Sequence, residues 1–226
     1  MTQDLPKNAQ VVVIGGGIVG CSVAYHLTKL GWKDVIVLER KTLTCGTTWH
    51  AAGLVGQLRS TANITKLAQY TSKLYASLEE ETGQATGFKQ TGSIAVATNH
   101  ERFEELKRGA SMARVFDLEV ELVTAQEIAT MWPLANLGDV IGGGFLPGDG
   151  QTNPVDTTMA LAKGAKMGGA QFFEETKVTG ILQENGVVTG VSTDKGDIQA
   201  EFVVNCAGMW GRDLGKMAGV NVPLHA

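Results

Sequence analysis

Apolar positions follow two rhythms along this chain, and the switches between them mark its elements. Val11-Val12-Val13-Ile14 is an unbroken β-branched run, the pattern of a strand covered on both faces of a parallel sheet. It leads straight into Gly15-Gly16-Gly17-Ile18-Val19-Gly20. Val19, Val23, Ala24 and Leu27 then recur at helical spacing until Gly31 stops the helix. A second buried run, Val35-Ile36-Val37-Leu38, ends in Glu39. A polar loop over 41–50 separates it from a helix predicted over 63–81. There Ile64, Leu67, Ala68, Leu74, Tyr75 and Leu78 form one apolar face, Asn63 is the N-cap and Gly83 the stop.

The middle of the chain reads as alternating short elements: a strand over 93–98, a charged helix over 101–116 and a strand over 119–123. Thr124-Ala125-Gln126-Glu127 is a capping box for a helix that must end before Pro133. A glycine-loosened strand over 141–146 precedes turn residues Pro147-Gly148-Asp149-Gly150, and the helix over 154–167 opens on Pro154. Beyond Gly169, three short β-segments divided by Glu184-Asn185-Gly186 and Asp194-Lys195-Gly196 predict a β-meander. A buried strand over 202–208 and a helix over 210–218 complete the pattern. The runs ending near Gly15 and Gly208 are expected in one parallel sheet.

The strand, glycine turn, helix, second strand and terminal acid together make the βαβ fingerprint of a dinucleotide site. Gly15 permits the tight turn, Gly17 lets the backbone approach a pyrophosphate, and Gly20 lets the helix pack on the strand. The helix N-terminus offers N–H groups and partial positive charge to the phosphates. Glu39, about 20 residues past the last glycine, is placed to accept hydrogen bonds from a ribose hydroxyl pair. Arg40 could serve a 2′-phosphate, but directly after Glu39 it reads as a solvated charge. The fold class is therefore α/β, a Rossmann-like doubly wound parallel sheet with a β-meander. An inserted, incomplete α+β substrate domain accompanies it. Residues 1–90 and 151–226 are expected to form the discontinuous cofactor domain and 91–150 part of the second.

At 226 residues the chain can bury a sizeable core, and a net charge of −4 provides no broad basic surface for nucleic acid. Cys21, Cys45 and Cys206 form no C-x-x-C pair, which argues against a disulfide framework or a zinc site. Cys21 and Cys206 read as buried apolar residues; Cys45 lies near the cofactor loop. No metal site is expected. Without a signal segment, an Arg-rich transit pattern or about 18 continuous apolar residues, the chain reads as soluble and cytoplasmic, with no membrane span.

The string Gly46-Thr47-Thr48-Trp49-His50-Ala51-Ala52-Gly53-Leu54 resembles the flavin-attachment motif of dimethylglycine and sarcosine dehydrogenases. These belong to the FAD-dependent amine oxidoreductases of the glycine oxidase and D-amino-acid oxidase superfamily. Similarity continues at Leu78-Glu79-Glu80-Glu81-Thr82-Gly83, Gln90-Thr91-Gly92-Ser93-Ile94 and Val203-Val204-Asn205-Cys206-Ala207-Gly208. The resemblance implies FAD bound covalently through His50, with Thr47 and Thr48 as donors to the pyrophosphate or ribityl chain and Trp49 as a packing wall. It also implies that Ala207 and Gly208 pack on the cofactor and that Val178 touches the adenine through its backbone. The expected cofactor contacts are thus Gly15, Gly17, Ile18, Val19, Gly20, Glu39, Arg40, Thr47, Thr48, His50, Ala51, Val178, Ala207 and Gly208.

The implied activity is oxidative demethylation of an N-methylated glycine, a small amine substrate, by hydride transfer to flavin N5. The iminium product is hydrolysed to formaldehyde, or its one-carbon unit is trapped by tetrahydrofolate on a further C-terminal domain. Electrons leave to an electron-transfer flavoprotein or to oxygen. Relatives run on past Ala226, so the chain is expected to be an N-terminal fragment of limited solubility. Eukaryotic relatives lie in the mitochondrial matrix. No catalytic residue is assigned, and His225 is given no role. Two alternatives share the fold. One is a non-catalytic regulatory protein of the pyruvate dehydrogenase phosphatase regulatory subunit type, in which the attachment histidine is not retained. The other is an amine or amino-acid oxidase with non-covalent FAD.

Overall fold

The β-branched run at the start of the chain lies at the centre of a six-stranded sheet in the computed structural model, which describes residues 4–224. In chain order the strands are β1 (Asn8–Ile14), β2 (Val35–Leu38), β3 (Leu54–Val55), β4 (Ser93–Ala97), β5 (Glu121–Val123), β6 (Gly142–Leu146), β7 (Gly150–Gln151), β8 (Gln171–Phe173), β9 (Val178–Glu184), β10 (Val187–Thr193) and β11 (Gly196–Asn205). The helices are α1 (Ile18–Lys29), α2 (Ala62–Thr82), α3 (His100–Ala113), α4 (Ala125–Met131), α5 (Pro154–Met167) and α6 (Gly211–Met217). Thr47–His50 forms a single 3₁₀ turn. His225 falls outside the described residues.

The chain divides into two compact units: Met1–Ala52 with Leu78–Thr86 and Asn153–Ala226, and Gly53–Ser77 with Gly87–Thr152. The second therefore includes residues 53–77, which the sequence pattern had grouped with the cofactor domain. In the first unit the strand order is β8-β2-β1-β11-β10-β9. β1 pairs in parallel with β2 and with β11, so Val12 stands between Ile36 and Val203, and β2 pairs in parallel with β8. β11, β10 and β9 are antiparallel. Every residue of β2 is buried, as the unbroken apolar run requires. One face of this sheet packs Val12, Ile14, Ile36, Leu38, Val191 and Ile198 into a common core with Leu214 of α6.

Two boundaries differ from the sequence expectation. The third meander segment and the predicted strand over 202–208 are one strand, β11, whose polar Asp197, Gln199 and Glu201 disguise its continuity. Phe202, expected to be buried, is 51% exposed and packs edge-on against Trp32, with ring centroids 5.4 Å apart. The second difference is in α2. It starts at Ala62, so Asn63 lies within the first turn instead of capping it. The buried positions are Thr65, Ser72, Leu78 and Thr82, whereas Ile64 and Leu67 are at least half exposed. Polar side chains can face inward there because their hydroxyls are satisfied locally: Thr65 bonds the Arg59 backbone and Thr82 donates to the Leu78 carbonyl.

The second unit holds the antiparallel sheet β4-β6-β5 and the short pair β3-β7. The predicted capping box opens α4: Glu127 accepts the Thr124 N–H at 2.7 Å, and Thr124 Oγ1 accepts the Glu127 N–H at 3.3 Å. Among the described residues no helix is long and apolar enough to cross a membrane.

Ile198 is fully buried at the centre of the first unit. Truncating it, Ile198→Ala, should cost about 2–5 kcal/mol. Urea unfolding followed by tryptophan fluorescence checks this; an unchanged midpoint would mean that the core described here does not hold the unit together.

Candidate functional site

β1 and β11 end side by side, with Ile14 opposite Asn205, and the chain turns at Gly15 with φ +115°. A Cβ on Gly15 would run into the Cys206 carbonyl, and one on Gly20 into the Gly15 carbonyl. The first turn of α1 therefore lies directly on the glycine loop. Gly17 differs: a Cβ there would meet only Thr48 Oγ1, at 3.0 Å, and otherwise project into open space. The missing side chains at Gly15 and Gly20 serve the fold, and that at Gly17 leaves room for something else.

The α1 terminus presents its donors at this opening. The Ile18 N–H is taken by Thr48 Oγ1 at 3.0 Å and the Cys21 N–H by the Gly17 carbonyl. Among the described residues the N–H groups of Gly17, Val19 and Gly20 have no protein acceptor, which is the usual state of a helix start awaiting an anion. Glu39 closes the other side. Its Oε2 accepts the Gly16 N–H at 2.8 Å and its Oε1 the Lys41 N–H at 3.0 Å. Cys45 Sγ also donates to Oε1, at 3.7 Å, so of the roughly four lone-pair sites of a carboxylate about one remains for a ribose hydroxyl.

These groups border a cleft of about 490 Å³. Of the residues singled out from sequence, Gly15, Gly17, Ile18, Val19, Glu39, Arg40, Thr47, Thr48, Ala51, Val178, Ala207 and Gly208 line it. Gly20 does not; it lies behind the turn it supports. His50 does not line the cleft either. It stands exposed between Trp49 and Ala51, its ring centroid 3.9 Å from that of Trp49. Its Nδ1 lies 3.2 Å from the Gly46 carbonyl, an oxygen that can only accept, so Nδ1 is the donor in this contact and Nε2 is the nitrogen left unengaged by it. Sequence reasoning missed Thr176, Lys177, Trp210, Asp213 and Met217, which also line the cleft. The signal for the last three was available: ligands in α/β sheets sit beyond the carboxyl ends of the strands, and these residues lie in the 3₁₀ turn and the helix α6 that follow β11.

The three thiols are unreactive by environment. Burial, with the Glu39 charge added, pushes Cys21 up to about 12. Partial burial and then the charge and hydrogen bond of Glu39 raise Cys45, and burial raises Cys206. None is a thiolate at neutral pH.

The second unit has its own pocket, of about 760 Å³. Trp132, Met131, Phe145 and Ile94 give it apolar walls, and Arg59 is the cation among its lining residues. The buried Asp149 carboxylate stiffens one side, accepting the Gln57 N–H at 2.8 Å and the Ser93 hydroxyl at 2.6 Å.

Free N–H groups at a helix start, a glycine without a Cβ and an acid at the end of β2 suit the pyrophosphate and ribose of an adenine dinucleotide. Comparison with known proteins agrees. The family described as "FAD dependent oxidoreductase" matches residues 10–226. The chain is 44% identical over 231 residues to human (Homo sapiens) mitochondrial sarcosine dehydrogenase, covering 100% of this chain and 25% of that protein. It is 42% identical over 224 residues to the mitochondrial pyruvate dehydrogenase phosphatase regulatory subunit of Mus musculus, covering 98% and 26%. Among solved structures, L-proline dehydrogenase from P. horikoshii superposes with a TM-score of 0.92 at 32% identity, over 98% of this chain and 58% of that one. The chain thus spans about a quarter of the length of these curated relatives.

Gly17→Ala should keep the melting temperature within a few degrees yet weaken dinucleotide binding at least tenfold, about 1.4 kcal/mol. Gly20→Ala should lower both, because its Cβ meets backbone. Thermal melts paired with cofactor titrations separate the two; unimpaired binding by Gly17→Ala would contradict the site.

Proposed function

The chain belongs to the FAD dependent oxidoreductase family, and from that premise we propose that it is the flavin-binding portion of an enzyme that oxidatively demethylates an N-methylated glycine. What supports this reading is the cleft lined by the start of α1, Glu39, Thr47 and Thr48, with His50 just outside it. FAD bound there supplies the two-electron acceptor for the amine. The chain does the holding and orienting. The N–H groups of Gly17 and Val19 would receive the pyrophosphate, and the remaining lone pair of Glu39 a hydroxyl of the adenosine ribose. Val178, Ala207 and Gly208 pack on the cofactor from the far wall.

His50 is the candidate covalent anchor. The Gly46 carbonyl holds the proton on Nδ1 and so leaves Nε2 as the nitrogen able to form a bond to the flavin. Attachment prevents loss of the cofactor and makes it a stronger oxidant. For the substrate, the pocket of the second unit offers apolar walls to methyl groups and the Arg59 guanidinium to a carboxylate, a pairing suited to dimethylglycine or sarcosine. Electrons then pass to an electron-transfer flavoprotein or to oxygen. Tetrahydrofolate enters only through a further domain, as a trap for the one-carbon unit.

The 42% identity to a phosphatase regulatory subunit favours a second reading, a non-catalytic protein on the same fold. A third reading keeps an amine or amino-acid oxidase with FAD bound non-covalently, since one fold hosts many chemistries.

Acid precipitation of protein expressed with FAD separates these readings. Flavin in the washed pellet of the wild type, and in the supernatant for His50→Ala, is the expected result. Flavin that stays with the His50→Ala pellet removes His50 as anchor. Flavin in the wild-type supernatant favours the non-covalent reading, and flavin in neither fraction favours the regulatory one.

A further inference from the structure

Glu39 and Arg40 directly follow β2 and bring opposite charges to the same cleft. Their side chains part at once. Glu39 turns back to the glycine loop, where it accepts the Gly16 N–H. Arg40 instead lays its guanidinium over the Trp210 indole, Cζ 3.9 Å from the ring centroid. Among the described residues Arg40 forms no ion pair. Stacking uses the flat face of a guanidinium and leaves its N–H donors at the edge, the geometry that grips a phosphate bidentately. An ammonium in the same place could not be aimed in this way.

Trp210 ends a 3₁₀ turn after β11, where its backbone N–H donates to the Ala207 carbonyl at 3.0 Å and so places the residue. Its Cζ3 lies 3.6 Å from where a Cβ on Gly46 would stand. Gly46 precedes the turn that carries Thr48, so the indole spans from the end of β11 to the loop after β2, and Arg40 stacks on it from the end of β2. Gly46, Arg40 and Trp210 all line the cleft with Gly17 and Thr48.

We propose that Trp210 is a positioning residue: its indole holds the Arg40 guanidinium so that the edge donors meet the diphosphate of the bound dinucleotide. The proposal rests on the FAD reading above. Backbone N–H groups at α1 take one side of the diphosphate, and Arg40, like Lys177 a cation lining the cleft, supplies a planar one. Trp210 acts through Arg40 and makes no charge contact of its own.

The test is a set of FAD titrations by flavin fluorescence at several salt concentrations. They are done in the His50→Ala background, which keeps binding reversible. Arg40→Ala and Trp210→Ala should each weaken FAD about tenfold or more, and the double variant should be no weaker than the worse single one. In all three the slope of log Kd against log salt should fall, because a cation–phosphate contact has gone. Trp210→Phe keeps an aromatic face and should restore most of the affinity and the slope. Arg40 is exposed, so its variant tests the proposal even if Trp210→Ala misfolds. Wild-type affinity in Arg40→Ala overturns the proposal. So does a Trp210→Ala loss that adds to that of Arg40→Ala and leaves the salt slope unchanged. If the parent protein does not bind FAD, the cofactor reading falls and takes this proposal with it; binding that both variants leave unimpaired overturns this proposal alone.

Discussion

The approach of three backbone segments at the end of β1 is the constraint on which the rest depends. The Gly15 turn lies against the Cys206 carbonyl, and α1 lies against the Gly15 carbonyl at Gly20. Neither approach tolerates a methyl group. Their combined effect is to aim the start of α1 at the space beyond β1 and β11, with Glu39 brought in from β2. Thr48 then completes the rim by accepting the Ile18 N–H. A shift of any of these segments would move donors and acid apart together.

The cleft is electrostatically economical. Backbone N–H groups and the helix dipole supply anion binding without a buried cation, and the exposed Arg40 stands at the same cleft. Glu39 is satisfied by two backbone N–H groups and so stays in place without a ligand. The neighbouring thiols are kept protonated by burial and by that same carboxylate. The imidazole of His50 stands exposed just outside the cleft, with Nδ1 turned to the Gly46 carbonyl.

Much of this was legible in the chain. Unbroken β-branched runs identify β1 and β2 because strands buried on both faces leave no polar positions, and the Thr124–Glu127 box marks the start of α4 because its two hydrogen bonds are local. What was not legible depends on tertiary contact. The buried positions of α2 include Leu78, as its pattern predicts, but also Thr65, Ser72 and Thr82, which a hydrophobic pattern assigns to solvent. β11 hides its length behind alternating acids and amides that suit a sheet with one exposed face. The stacking of Arg40 on Trp210 joins residues 170 positions apart, and no local signal announces it.

Family membership makes FAD the cofactor that this cleft should accept, and the glycine turn should be what accepts it. Titrating purified protein with FAD, with ADP as competitor, tests this most directly. The account predicts saturable binding at one FAD per chain, displaced by ADP and lost in Gly17→Val, whose side chain fills the space kept open at the turn. Saturable FAD binding that ADP does not displace, or that Gly17→Val retains, would contradict it.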